Sequence, residues 1–264
     1  MRAAAKDLPG IRLFVSDALA PGVDVVLASH QAHYLLRVMR LKSGDRVRLF
    51  NGRDGEWLGC LATGSRSSIT ILLERQTRLQ EAKDGPWLVF APVKKTATDF
   101  IVEKAAELGA ARLLPVLTER TIAQRVNVQR LLATATEAVE QCGRLSVPEV
   151  ATPVTLPALA AAWPTQRPLL IAHPRAQGDP LPLVDALIEL VQRRACFVEA
   201  MPLAFLIGPE GGLTDAELDV LAGLPCARIV HLGAYTLRAE TAAAAVLACW
   251  QAVVEARRGN ASKP

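Results

Sequence analysis

Two short loops in the last quarter of this chain carry the residue types that a ligand site needs. One is Gly208-Pro209-Glu210-Gly211-Gly212, directly after the apolar run 203–207. The other covers residues 232–242, Leu-Gly-Ala-Tyr-Thr-Leu-Arg-Ala-Glu-Thr-Ala, directly after residues 228–231. Each starts where a buried strand should end and leads into a helical pattern. Glycine lets backbone approach a ligand closely and tolerates positive φ. Two such loops leaving neighbouring strand ends form a crevice in an open α/β sheet. Their charged residues set the chemistry. Arg238 stays protonated, so it can hold a base or a phosphate and cannot take up a proton. Glu210 can contact substrate or orient its loop. Glu240 falls in the first turn of the last helix, where negative charge is favourable. Alone, Gly-Pro-Glu-Gly-Gly reads equally well as a strand-to-helix turn. The second loop, at this order and distance, points to binding.

The elements that must position these loops alternate from residue 87 onward. Residues 87–93, 112–116, 168–172, 203–207 and 228–232 read as strands, and 98–108, 128–142, 183–194, 215–222 and 239–257 as helices. Continuously apolar strands alternating with helices imply a parallel sheet covered on both faces. Thr214, with Glu217 three residues on, is a helix start with a capping box. No G-x-G-x-x-G follows the first of these strands; Lys94-Lys95-Thr96 stands there instead, which argues against a conventional dinucleotide fold. A P-loop pattern is also missing.

Residues 11–75 read differently. Short alternating segments at 12–15, 23–28, 45–51, 56–63 and 68–75 are separated by turn signals at 43–45 and 51–55 and interrupted by one helical stretch, 30–40. Small strands that close on themselves form a barrel. The polar stretch 76–86 ends at Pro86 and marks the domain boundary. Residues 1–75 hold eleven Lys/Arg and seven Asp/Glu, while 76–264 hold nineteen of each, so the whole excess of +4 sits in the N-terminal part. A basic module joined to a neutral one fits a nucleic-acid anchor on a catalytic body. The five cysteines, Cys60, Cys142, Cys196, Cys226 and Cys249, form no C-x-x-C pair, which argues against a disulfide framework and a zinc knuckle and fits reduced thiols in a cytosol. His30 and His33 lack a second ligand pair, so no metal is expected. The start, 1–10, has no apolar core for a signal peptide, and the apolar run 242–254 is too short to span a bilayer.

Beyond the two loops, an ordered series of motifs runs from Arg12-Leu13-Phe14-Val15 to the last helix. It includes His33-Tyr34-Leu35-Leu36-Arg37-Val38-Met39-Arg40, Gly44-Asp45, Asn51-Gly52, Lys94-Lys95, residues 103–109 (Glu-Lys-Ala-Ala-Glu-Leu-Gly) and residues 137–144 (Glu-Ala-Val-Glu-Gln-Cys-Gly-Arg). In this series the chain resembles the SPOUT class of S-adenosylmethionine-dependent RNA methyltransferases. More closely, it resembles the bacterial family that methylates N3 of a uridine in 16S ribosomal RNA, the E-type methyltransferases of the small subunit.

The resemblance implies an α/β chain: a PUA-like RNA-binding β-barrel at 1–75 and a parallel-sheet SPOUT domain at 86–264. In that domain the last helices thread a loop to make a trefoil knot, a rare exception among folds. It implies S-adenosylmethionine as cofactor, 16S ribosomal RNA of the small subunit as partner, a homodimer and a cytoplasmic site of action. Ile207, Gly208, Gly211, Gly212, Leu232, Gly233, Leu237 and Thr241 would hold the cofactor. Arg238, Glu210 and Arg12 are the catalytic candidates, Arg12 by reaching the active site of its own or the partner chain from the N-terminal motif. Arg37, Arg40, Lys42, Arg46 and Arg48 are candidate phosphate contacts, which give affinity and register and no base identity. The helix-borne Glu103 and Glu107, and the cluster of Glu140, Gln141 and Arg144, read as polar faces bracing the fold or shaping an RNA cleft. His173, at a strand end, either lines the pocket or makes a turn. Two other readings share these features: a SPOUT enzyme acting on another RNA, such as a tRNA ribose, and a non-catalytic RNA-binding assembly factor.

Overall fold

The computed structural model describes residues 9–62, 69–82, 84–123, 125–174, 180–193 and 202–261, the side chains of 257–261 excepted. Most of the chain start, the ends of the expected strands at Thr63 and Ser68, the helix end at Arg194, and Cys196 lie outside the described residues. The chain divides into two compact units. The first comprises 1–82 with 139–147, the second 83–138 with 148–264.

In the first unit, β1 (Arg12–Phe14), β2 (Asp24–Val26), β3 (Arg46–Phe50), β4 (Glu56–Leu61) and β5 (Thr70–Arg78) form one sheet in the order β1-β3-β4-β5-β2. β1 and β3 run parallel and the other pairs antiparallel. The sheet wraps a single core to which every strand contributes, including Leu13, Val25, Leu49, Trp57 and Ile71. No ladder joins the end strands β1 and β2 among the described residues. Two bulges kink β4 against β5. At the second, Gly59 is required, because a Cβ there would strike the Ile71 side chain. β5 runs on through Arg78, past the expected end at residue 75.

The second unit holds β6 (Trp87–Phe90), β7 (Arg112–Leu117), β8 (Glu149–Val150), β9 (Val154–Thr155), β10 (Leu169–Ala172), β11 (Leu181–Pro182), β12 (Ala204–Ile207) and β13 (Ala227–His231). They make one parallel sheet in the order β11-β13-β10-β12-β6-β7-β8, with β9 also on β7. The chain's helices are α1 (Ser29–His33, continued by a π-helical turn over Tyr34–Val38), α2 (Lys95–Glu107), α3 (Val128–Cys142), α4 (Leu156–Ala161), α5 (Leu183–Arg193), α6 (Asp215–Ala222) and α7 (Ala239–Ala261). The central strands are buried along nearly their whole length, as a sheet covered on both faces requires. α4 and α6 pack over Val89, Ile171 and Leu206. Period-2 alternation sends Phe205 to the other side, where α7 meets β12, α2 and α5. The slim face of α7, Ala239, Ala242 and Ala243, is buried. Four elements have no counterpart in the sequence pattern: β8, β9 and β11 have two residues each, and α4 is a six-residue helix with Pro157 in its first turn. Such pieces are too short to show a period.

One ion pair organises the first unit. Arg12 Nε meets Glu56 Oε2 at 2.7 Å, with side-chain exposures of 3% and 0%. Arg12 Nη1 donates to the carbonyls of Val139 (2.9 Å) and Glu140 (3.1 Å), and Nη2 to that of Arg144 (2.7 Å). Two of these carbonyls end α3, where intrahelical partners run out and a cation is favourable. Glu140 Oε1 accepts from the Phe14 N–H at 2.8 Å. Residues 139–147 join the first unit through these bonds. The Phe50 ring lies 4.4 Å from the Arg12 guanidinium carbon. Glu56 Oε1 accepts from the Thr77 hydroxyl at 2.8 Å and from Arg48 Nη1 at 3.4 Å. Burial by itself raises the Glu56 carboxyl; the bonds from Arg12 and Thr77 and the charge of Arg48 outweigh it and hold the group below its usual range.

A group whose folded pKa is lowered stabilises the fold above its ordinary value, and that support is lost as pH falls through the folded value. Glu56→Gln leaves Arg12 buried without its counter-charge, so it should destabilise the first unit by about 3–5 kcal/mol at neutral pH. The variant should also lack the part of the acid slope that the wild type shows below the usual glutamate range. Denaturant melts at stepped pH measure both; equal stability and equal slopes would contradict this role.

Candidate functional site

Parallel pairing puts the carboxyl ends of β10, β12 and β13 side by side. Ala172 stands opposite Ile207 and Val230 in register. The segments leaving these ends therefore meet at one edge of the sheet, where a ligand crevice belongs. There they line a cavity of about 650 Å³. Ile207, Gly208, Gly211, Gly212, Leu232, Gly233 and Leu237 are all in its wall, and so are Glu210 and Arg238. The cavity lies wholly within the second unit.

The loop after β12 is a tight turn, with the Gly212 N–H donating to Pro209 O at 2.8 Å. Gly212 has φ +73° and Gly233 φ +122°, values that L side chains rarely adopt. Gly211 packs closely on its neighbour: a Cβ there would come within 3.3 Å of Arg120 Cβ. Arg120 Nη1 donates to Gly211 O at 2.8 Å. Next to it, the Glu119 N–H donates to Glu217 Oε1 at 2.8 Å, while Glu217 Oε2 accepts from the Thr214 N–H at 2.9 Å. The expected capping box at the start of α6 thus also fastens the loop after β7 to the loop after β12. Arg120 is a wall residue that sequence reasoning missed. It follows a strand that carries no glycine signature, and its place depends on the strand order.

Two histidines face the cavity from neighbouring strands. The Pro174 carbonyl can only accept, so His173 Nδ1, 2.8 Å away, carries the proton and Nε2 keeps its lone pair. At His231 the order reverses. Nδ1 accepts from the Gly233 N–H at 3.2 Å, so the neutral ring carries its proton on Nε2. Arg238 and Glu210 are exposed at the rim, and Tyr235 is 87% exposed.

Two expectations need correction. Thr241 is outside the cavity wall and exposed; Ala239 and Ala242, at i and i+3, share the cavity face, and 241 turns away from it. Arg12 is no rim cation. It is buried in the first unit and bound to Glu56 and three carbonyls, so its role is to clamp the end of α3. Arg48 is bonded through Nε to Pro9 O at 2.8 Å and through Nη1 to Glu56, and Arg46 pairs with Glu74 at 3.0 Å. Arg37, Arg40 and Lys42 are exposed, and no side-chain partner appears for them among the described residues. Arg40 has φ +55°, the one non-glycine residue in the left-handed region among the described residues. Strain of this kind costs about 1–2 kcal/mol. Glu103 and Glu107 form no acid–base pair, because Lys104 Nζ lies between them at 2.6 and 3.0 Å. Among the described residues, no helix is long and apolar enough to cross a membrane.

Comparison with known proteins agrees with this geometry. The RNA methyltransferase domain family matches residues 82–251, and the RNA methyltransferase PUA domain matches residues 27–74. Ribosomal RNA small subunit methyltransferase E of Synechocystis sp. is 34% identical over 251 residues, spanning 92% of this chain and 78% of that protein. The protein of the same name from Rickettsia conorii is 29% identical over 238 residues, spanning 90% and 93%. The structure of the methyltransferase Lpg2936 from Legionella pneumophila, in complex with SAM, superposes with a TM-score of 0.79 at 26% identity, covering 93% of this chain and 98% of that one. The enzyme from Neisseria gonorrhoeae, at 24% identity and a TM-score of 0.77, shares the fold. The parallel-sheet domain with its two glycine loops, and the β unit before it, place this chain in the RNA methyltransferase family, among the ribosomal RNA small subunit methyltransferases E.

Proposed function

We propose that the protein transfers a methyl group from S-adenosylmethionine to N3 of a uridine in 16S ribosomal RNA. The observation that carries this reading is the meeting of the two glycine loops on one cavity at the carboxyl edge of the sheet. The residues present suit the cofactor. Ile207, Leu232 and Leu237 give apolar walls, the loop backbones offer donors and acceptors for an adenine edge, and the missing side chains at 212 and 233 leave open space beside it. When bound, S-adenosylmethionine supplies an electrophilic methyl group on a sulfonium.

The chain's own residues must deal with the acceptor. N3 of uracil carries a proton and is not nucleophilic until it leaves. His173 Nε2, whose lone pair the Pro174 bond keeps free, is the acceptor we assign to that proton. Arg238 stays charged and stabilises the negative charge that deprotonation puts on the base. Glu210 faces the same cavity as a second anchor for substrate. Much of the remaining rate comes from holding donor and acceptor in line. Arg37, Arg40 and Lys42 serve as phosphate contacts in the first unit. A homodimer and the knotted threading of α7 belong to the same reading. The buried alanine face of α7 supports the second, since only a slim helix passes close to backbone.

Three measurements test this. Incubation with labelled cofactor and small ribosomal subunits lacking the modification should put the label on N3 of one uridine; label on a ribose or on tRNA would select the alternative substrate. Arg238→Ala should lower kcat by about 10²–10³-fold with folding and cofactor affinity unchanged, and normal turnover would remove its role. His173→Gln should lower kcat with folding and cofactor affinity unchanged. A variant retaining wild-type turnover would show that the proton goes elsewhere.

A further inference from the structure

A second cavity, of about 240 Å³, opens on the same edge of the parallel sheet. Its walls come from residues that follow β6 (92–95 and Thr98) and β7 (Ile122, Ala123, Arg125, Val126 and Arg130). The floor is apolar, with Pro92, Val93 and Val126. The rim is cationic, with Lys94, Lys95 and Arg125. All three cations are exposed, and none has a side-chain hydrogen bond or ion pair among the described residues. Arg130, the fourth cation, pairs with Asp99. The buried Thr98 hydroxyl holds the loop after β6 by bonding both Val93 N and Val93 O at 3.0 Å. These cations therefore ring a formed hollow.

Its position relative to the methyl-transfer cavity is fixed by strand order. β6 is the neighbour of β12, and β7 is next. Adjacent strands lie about 4.8 Å apart, so this hollow stands roughly one to two strand spacings from the glycine loop after β12. The segment after β7 lines both cavities, Arg120 in the first and Ile122 and Arg130 in the second. A cationic rim over an apolar floor suits one nucleotide of a single strand: phosphate oxygens on the lysines and arginine, ribose or base face on the prolyl and valyl floor.

We propose that this hollow binds the phosphodiester and sugar of an RNA nucleotide flanking the methylated one. The site would make the second unit an RNA-binding body in its own right, independent of the arginines of the first unit. The inference rests on the methyltransferase reading above.

The test compares the wild type with Lys94→Ala/Arg125→Ala. A control, Lys104→Ala/Arg228→Ala, removes two cations of the same unit that are engaged in ion pairs with Glu103, Glu107 and Glu189. Binding to unmodified small ribosomal subunits is followed across a salt series, together with methylation kinetics and calorimetry of S-adenosylmethionine. The cavity variant should flatten the slope of log K against log salt by about 0.7 for each phosphate released. Its KM for subunits should rise several-fold, while kcat at saturation and cofactor affinity hold. The control should keep the wild-type slope. A slope and KM equal to the wild type, or a loss shared with the control, would overturn the site. So would a hollow that takes inorganic phosphate while the RNA slope stays unchanged in the variant. If the wild type itself fails to methylate subunits, the functional reading falls instead.

Discussion

The active edge of this protein depends on parallel register. β10 lies between β12 and β13, with Ala172 level with Ile207 and Val230. Because all three strands run the same way, their exits must share one edge, and segments far apart in sequence become walls of one cavity. The glycines then let two loops approach the same space. Glu217 and Arg120 keep the loop after β12 from moving away, through bonds to Glu119 N and Gly211 O. Catalysis by positioning needs this kind of restraint, since loosely held loops cannot align a donor with an acceptor.

The first unit solves a different problem. A small open sheet with a modest core has little hydrophobic stabilisation to spare. It buries a guanidinium–carboxylate pair at its centre and uses the remaining donors of Arg12 to cap the end of α3. Buried ions are tolerated only when fully partnered, and here every partner is a fixed backbone carbonyl, a hydroxyl or a second arginine. The cost is that Arg12 is buried and fully engaged, while Arg48 is tied to Pro9 O and Glu56. Basic character is carried at the surface by Arg37, in the π-helical turn, and by Arg40 and Lys42 just after it, Arg40 in the left-handed region.

Much of this was legible in the residues. Apolar runs marked the central strands because a sheet covered on both faces leaves no polar side to alternate. Thr214 and Glu217 announced α6, and the loops around Gly211 and Gly233 announced the cavity through residues that only a close approach or a positive φ requires. What could not be read depends on three-dimensional order. Arg120 reaches the site because β7 lies two strands from β12. Thr241 leaves it because of its angle on the helix, and Arg12 became a clamp because Glu56 waits across the sheet. The tautomers of His173 and His231 follow from one backbone carbonyl and one backbone amide, neither visible in a string of residue types.

The central claim is that both glycine loops hold a single cofactor molecule. Calorimetric titration of S-adenosylmethionine into the wild type, Gly208→Val and Gly233→Val tests it most directly, with thermal melts to verify folding. The account predicts one site per chain in the wild type and severe loss of affinity in each variant. Wild-type affinity in either folded variant would contradict it.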